Sequence, residues 1–337
     1  MLIDGLNIKH ALSREEIVKL LKTDEPSQGI LFSSADKLRK KFCGDDVHLR
    51  GVIIFSNYCE QNCLYCSMRE DNFSVDRFRM SAEEIINAAK HLSNTGYKTI
   101  VLSSGEDSYY DTDIIAYIVY TIKQFADVAI TLSLGARGFD EYRTWKIAGA
   151  DRYLLKFESA NPELYSTYNK KTVLHDRIQH LKYLKRIGYR VGSGSIVGLP
   201  NQTVEDIADD ILLVKKLGVD IASFTPFVPS PFTPYQNMPA ADINLALKTL
   251  AVARLCMPGT HIISSTALDR ISENGCVDGL NCGANVILSD LASTFSVDRK
   301  FRLNKNIVSD YAADSQSLEA KIEANGRHIA TTKGDPL

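Results

Sequence analysis

The sequence predicts an α/β fold, a (βα)8 barrel of the TIM type with an N-terminal helical extension, on three observations. About eight apolar, strand-like runs alternate with helical stretches at the roughly 30-residue period of a βα unit. The runs are continuously apolar, as in parallel strands buried on both faces. No Pro-, Gly- or Ser-rich linker and no low-complexity tract interrupts the series. Eight units favour closure over an open doubly wound sheet.

Residues 12 to 44 read as helical, opened by Ser13 with Glu16 three residues on, a capping box. "HLRGVIIFS" is the first strand, and a cysteine-bearing loop follows it. "SAEEIINAAKHLSNTG" repeats the capping box with Ser81 and Glu84 and stops at Gly96. "YKTIVLSSG" precedes helical "DTDIIAYIVYTIKQFA", and "VAITLSLG" precedes "FDEYRTWKIAG". "DRYLLKFES" precedes "VLHDRIQHLKYLKRIG", "YRVGSGSIVGL" precedes "TVEDIADDILLVKKLG", and "DIASFTPFV" precedes "DINLALKTLAVARLC". "HIISSTAL" and "GANVIL" supply the last two strands. The expected organisation is a helical cap over 1–46, the barrel over 47–290, and a C-terminal extension over 291–337 that completes or caps it.

Composition narrows the function classes. The 337 residues are 45% hydrophobic and 24% charged, which supports a sizeable core. Formal net charge is -2 with scattered basic residues, so no nucleic-acid footprint is present. The first residues lack the pattern of a secretory signal, and no apolar run is long enough for a membrane span. Seven cysteines, an odd number, then read as reduced thiols of a cytoplasmic protein.

Three of these cysteines stand together in "FSNYCEQNCLYCSMRED": Cys59, Cys63 and Cys66, spaced C-x3-C-x2-C. Thiolates favour zinc, copper(I) or iron–sulfur clusters. Structural zinc and electron-transfer clusters want four ligands, and Cys43, Cys256, Cys276 and Cys282 form no second close pair. Three thiolates on a four-iron cluster leave one iron open to a chelating small molecule, a catalytic arrangement. The other reading is structural zinc with a distant fourth ligand. In a barrel the loop after the first strand lies at the reactive, C-terminal face.

The C-x3-C-x2-C loop, with Tyr65 just before its last cysteine, resembles the radical S-adenosylmethionine (radical SAM) superfamily. The resemblance implies a 4Fe-4S cluster on Cys59, Cys63 and Cys66 whose open iron is chelated by SAM. It also implies a small-molecule substrate in the barrel and an external one-electron reductant of the flavodoxin or ferredoxin type. Cleavage of SAM then yields methionine and a 5′-deoxyadenosyl radical that attacks the substrate.

Further residues are implied site by site. Ser104, Gly105 and Glu106 in "SSGED" match the segment that contacts the SAM amino group. Ser133 ends "TLS" and is a candidate for the cofactor or substrate. Arg152, Lys156 and Glu158 share one face of their strand, where a charge must be paired or meet a charged ligand. Glu158 is the candidate for the ribose hydroxyls, Arg177 for the methionine carboxylate, and Arg152 and Lys156 for substrate. In "GSGSIVGLPNQT", Ile196, Gly198, Leu199 and Pro200 resemble the adenine-binding segment, and its small residues admit a flat ring. The prolines of "TPFVPSPFTP" fix a rigid lid, and Ser265 and Thr266 offer hydroxyls to a polar substrate.

Within the superfamily the chain resembles the FeFe-hydrogenase maturases of the HydE type, in the group that also holds biotin synthase and the methylornithine synthase PylB. The likeness runs over about residues 50 to 290, through "FSNYCEQNCLYCSMREDN", "KTIVLSSGEDSYY", "GADRYLLKFESANP", "GSGSIVGLPNQT", "PFVPSPFTP" and "CGANVI". It implies a role in building the hydrogenase dinuclear centre, with HydF and HydG as pathway partners. Lys156 and Phe157 stand where these maturases have an Arg-His pair. The segment "SDLASTFSVDRKFRLNKNIVSD", where some maturases bind a second cluster, has no cysteine, so one cluster is expected. A PylB-like or other mutase or lyase is the alternative activity.

Overall fold

A computed structural model describes residues 12–290 and 311–335. The expectation for the start of the chain and the cysteine-free segment after residue 290 lie mainly outside these residues.

Eight parallel strands close into a barrel. In order they are β1 (Asp46–Ser56), β2 (Thr99–Ser104), β3 (Ala129–Ser133), β4 (Arg152–Leu154), β5 (Arg190–Val197), β6 (Ile221–Pro226), β7 (His261–Ser264) and β8 (Val286–Asp290). Each pairs with the next, and β1 pairs with both β2 and β8, which seals the circle. In register, Val52 faces Val101 of β2 and Asp290 of β8.

Helices cover the outside: α1 (Arg14–Leu21), α2 (Glu25–Cys43), α3 (Ala82–Asn94), α4 (Thr112–Phe125), α5 (Phe139–Ala148), α6 (Pro162–Tyr168), α7 (Leu174–Arg186), α8 (Val204–Leu217), α9 (Ile243–Cys256), α10 (Gly275–Asn281) and α11 (Tyr311–Ala324). Both expected capping boxes, Ser13 with Glu16 and Ser81 with Glu84, are formed. The single helix expected over 12–44 is two, because Asp24 caps a new helix with Pro26 in its first turn. Both pack on the outer layer at α8 and α9, where Arg14 pairs with Asp209 and Lys22 with Glu205, each at 2.6 Å.

Strand parity sorts the side chains. Ile53 and Phe55, Ile100 and Leu102, Tyr153 and Phe157, and Val191 and Val197 join the continuous core beneath the helices. Residues of the opposite parity face the barrel axis. These include Arg50, Thr131, Arg152, Lys156, Glu158, Gly192, Gly194 and Ile196. An added Cβ at Gly194 would lie 1.8 Å from Ser223 O, so only glycine lets β5 sit this close to β6.

The chain's last described residues return to the N-terminal mouth of the barrel. A short ninth strand, β9 (His328–Ile329), pairs in parallel with Asp46–Val47. Arg152 donates to Lys333 O at 2.6 Å and pairs with Asp335 at 2.9 Å, while Thr99 Oγ1 donates to Lys333 O at 3.0 Å. The interior at this end is cationic. Burial, with Arg50 next, pushes the His48 pKa down to about 4 and that of His261 to about 2, so both rings are neutral at pH 7. Among the described residues, no helix is long and apolar enough to cross a membrane.

Candidate active site and cofactor cradle

The loop after β1 is fixed by its own polar side chains. Arg77 donates to the carbonyls of Asn57, Met68, Arg69 and Asn72, drawing a 16-residue excursion onto one guanidinium. Asn57 closes the base, donating to Asp76 O at 2.7 Å and accepting from Phe78 N at 2.8 Å. The buried carboxylate of Asp107 then takes both arms of Arg79 at 2.8 Å and the Ser56 hydroxyl at 2.6 Å. Burial works against this charge, but Arg79 and Ser56 hold the Asp107 pKa below the usual aspartate value. Its stabilisation is therefore present above pH 3.8, the ordinary aspartate value, and is lost as pH falls below it. Asp107→Ala is expected to cost about 2 kcal/mol by denaturant titration at pH 7, since Arg79 keeps partial access to water. A loss under about 0.5 kcal/mol would deny the pair this anchoring role.

The three cysteines line the inner side of this loop, partly buried and unbridged. Cys59 Sγ accepts the N–H groups of Gln61 and Glu106, both at 3.4 Å. Burial first, then the neighbouring thiols and Glu158, pushes the Cys63 pKa up, and burial carries Cys66 to about 11. A bound cation reverses that cost, because thiolate ligands deprotonate on binding. Among the described residues, no three His, Cys, Asp or Glu side chains are grouped to hold a metal ion. A four-iron cluster makes a different demand, since each of its cysteines binds a separate iron and the sulfurs stand further apart. Three loop thiols, each offered to a separate iron, leave the fourth iron of such a cluster without a protein ligand.

The second segment packs directly on this loop. Glu60 N donates to Glu106 O at 2.9 Å, and Gln61 Nε2 donates to Glu106 Oε2 at 2.7 Å. Glu106 Oε1 accepts from Ala136 N at 2.9 Å and from Arg177 at 3.4 Å. Fold closure therefore joins Glu106, after β2, to Arg177, on α7. Ser104 and Ser133 end their strands beside them, with Ser103 paired to Ser133 in the ladder.

β4 keeps ladder contacts beyond Leu154, because the N–H groups of Leu155 and Phe157 donate to Gly192 and Gly194. Lys156 and Glu158 meet at 3.1 Å. Glu158 Oε2 is buried without a well-directed hydrogen bond, and the residue adopts φ 66°, unusual for a side-chain-bearing residue. Arg152 shares their strand face but stands at the opposite mouth, engaged by the C-terminal segment. The structure does not bring it together with Lys156 and Glu158. Ser265 Oγ accepts from Ala267 N at 3.2 Å and Thr266 O from Asp269 N, so both lie in the turn after β7.

At the end of β5, Gly198 turns at φ 82°, and a Cβ there would meet Ala241 at 2.6 Å. Ile196 and Leu199 join Tyr65, Tyr168, Phe227 and Tyr235 in one apolar cluster, a surface suited to a flat aromatic ring. Pro200 O accepts from the Tyr168 hydroxyl.

Sequence reasoning missed the bridge over this site. Tyr168 O accepts from Leu64 N at 3.0 Å, and Asn169 Oδ1 from the Tyr65 hydroxyl at 3.3 Å, so α6 ties the cysteine loop to the β5 turn. The signal was present in "ANPELY", an Asn cap followed by Pro at the first helical position. Asp107 lies within the "SSGED" run, but no local pattern marks it, because its partner Arg79 is remote in sequence.

The family model of the radical SAM superfamily matches residues 53–214. The FeFe hydrogenase maturase subunit HydE of Thermotoga maritima is 44% identical over 290 residues, covering 84% of this chain and 83% of that protein. A 3-methylornithine synthase of Methanosarcina acetivorans is 27% identical over 322 residues, 95% and 91% of the two chains. The crystal structure of methylornithine synthase (PylB) superposes with a TM-score of 0.85 at 25% identity, covering 98% of this chain and 96% of that one.

Proposed function

Given that the chain belongs to the radical SAM superfamily, we propose that it works in FeFe-hydrogenase maturation as a HydE-type enzyme. It is a radical SAM enzyme, and its cofactors are a 4Fe-4S cluster and SAM. Together these supply reductive cleavage of SAM and a 5′-deoxyadenosyl radical.

The protein's own residues divide the remaining work. Cys59, Cys63 and Cys66 hold the cluster. The Ser104–Glu106 backbone and Arg177 receive the amino and carboxylate groups of methionine, with Ser133 alongside. Glu158, whose Oε2 lacks a well-directed partner, takes the ribose hydroxyls. Tyr65, Ile196, Gly198, Leu199 and Pro200 form the adenine platform. Lys156, near the cofactor end, favours a substrate carrying negative charge, whereas Arg152, paired with Asp335 at the opposite mouth, is left out of the substrate site. Ser265 and Thr266 add neutral polar groups at the rim.

The extent of identity to HydE carries the maturase reading. HydF and HydG are then pathway partners, a flavodoxin or ferredoxin is the reductant, and the cytoplasm is the location. Restored hydrogenase activity in cells lacking their HydE supports it, and no restoration despite soluble, cluster-loaded protein rejects it. The near-full-length likeness to PylB favours a second reading, an amino-acid mutase. Formation of 3-methylornithine by the purified enzyme from an amino-acid substrate would establish that one.

One cluster per chain is expected. Cys256, Cys276 and Cys282 are buried, with burial raising their pKa values, that of Cys256 to about 12. Cys43 accepts from Arg254 at 3.3 Å. Anaerobically reconstituted protein should hold about four irons and four sulfides. A reproducible count near eight after gel filtration overturns this.

A further inference from the structure

Asp210, in the middle of α8, is fully buried on the outer side of β5, behind the strand face turned to the barrel axis. Its Oδ1 accepts the Ala160 N–H at 2.5 Å, and its Oδ2 accepts from Gln202 Nε2 at 3.2 Å. Gln202 in turn braces the β5 turn. Nε2 donates to Ile196 O at 2.9 Å, and Oε1 accepts from Gly198 N at 2.6 Å and Leu199 N at 3.3 Å. One carboxyl group thus reaches two segments, one beside Glu158 and one carrying Ile196 to Pro200. Ser195 lies beside the same group.

An amide side chain can be placed either way round, and only its partners decide which end points where. An acidic oxygen that accepts from Nε2 leaves Oε1 facing the two turn N–H groups. The supported segments need this help, because Glu158 and, in the β5 turn, Asn201 hold positive φ although each carries a Cβ. We propose that Asp210 is a positioning residue for SAM: through Gln202 it sets the turn that meets adenine, and through Ala160 it fixes the backbone beside Glu158. The inference rests on the reading of the β4 and β5 ends as the SAM site. Keeping an acid here is costly: burial pushes its pKa up to about 8 against the pull of Ala160 and Ser195, so Oδ2 is a free acceptor for Gln202 chiefly above that pH. An apolar residue would fill the space without that cost.

The test is SAM affinity above pH 8, where Asp210 is mostly the carboxylate, by equilibrium dialysis on the cluster-loaded protein without reductant, so that no turnover occurs. Asp210→Asn keeps size and shape. Asn Oδ1 retains the Ala160 N–H, which sets Nδ2 against Gln202 Nε2 and forces the amide to turn or leave. Affinity should fall about tenfold, the factor for one lost buried hydrogen bond, with cluster absorption and thermal midpoint kept. Gln202→Met should cause the same loss, and the double variant should be no weaker than either single one. Parent-like affinity in Asp210→Asn, or losses that simply add in the double variant, overturns the proposal. Should Asp210→Asn not fold, Gln202→Met decides, and parent-like affinity there overturns it. A parent protein that binds no SAM overturns the site reading as well, which separates the two failures.

Discussion

Cys59→Ala, Cys63→Ala and Cys66→Ala should each reduce SAM cleavage to background, measured as 5′-deoxyadenosine released under dithionite, while the barrel stays folded. The three thiols sit on a loop beyond the end of β1, outside the continuous apolar core. Losing one removes a cluster ligand without opening a cavity between strands and helices. The loop keeps its shape through Arg77, Asn57 and the Arg79–Asp107 pair, none of which touches a thiol in these bonds. Circular dichroism and thermal midpoint should match the parent. A variant that still releases 5′-deoxyadenosine is not missing a ligand. By contrast, Ser or Ala at Cys43, Cys256, Cys276 or Cys282 should leave the four-iron spectrum in place.

Gly105→Ala should prevent stable cluster loading although no ligand is changed. A Cβ at Gly105 would lie 2.2 Å from Tyr58 O and 2.6 Å from Cys59 Cβ. Neither neighbour is the free end of a flexible side chain, so the cysteine loop must shift bodily. The Glu60–Glu106 and Gln61–Glu106 hydrogen bonds that seal the two segments would break with it. Iron content after reconstitution and desalting should drop at least several-fold, with the secondary structure unchanged. Retained iron and parent-like SAM cleavage would mean the loop moves aside freely.

Much of this was legible in the sequence because it is local. Continuous apolar runs with intervening capped helices determine a parallel sheet covered by helices, and the count of eight determines closure. Three cysteines within eight positions determine their own neighbourhood, since a short loop cannot separate them. The glycines of "GSGSIVGL" read as room for a flat ring, whereas at Gly194 the close neighbour is the β6 backbone at Ser223, a contact the sequence does not mark.

What the sequence alone did not determine depends on pairs of residues far apart in the chain. Glu106 meets Arg177 only when the strands close; Asp107 meets Arg79 across the cysteine loop; Asp210 meets Ala160 from the far side of β5. Each is a buried or half-buried polar group whose partner is chosen by three-dimensional proximity, so neither periodicity nor spacing marks it. The same reason separates Arg152 from Lys156 and Glu158. Parity placed all three on one strand face, but the rise along the strand and the returning C-terminal segment assigned Arg152 to the other mouth. Secondary structure and the three-cysteine loop follow from short-range sterics and spacing. The polar network around the proposed cofactor site follows from barrel closure, because only packing makes a buried charge costly enough to demand one particular partner.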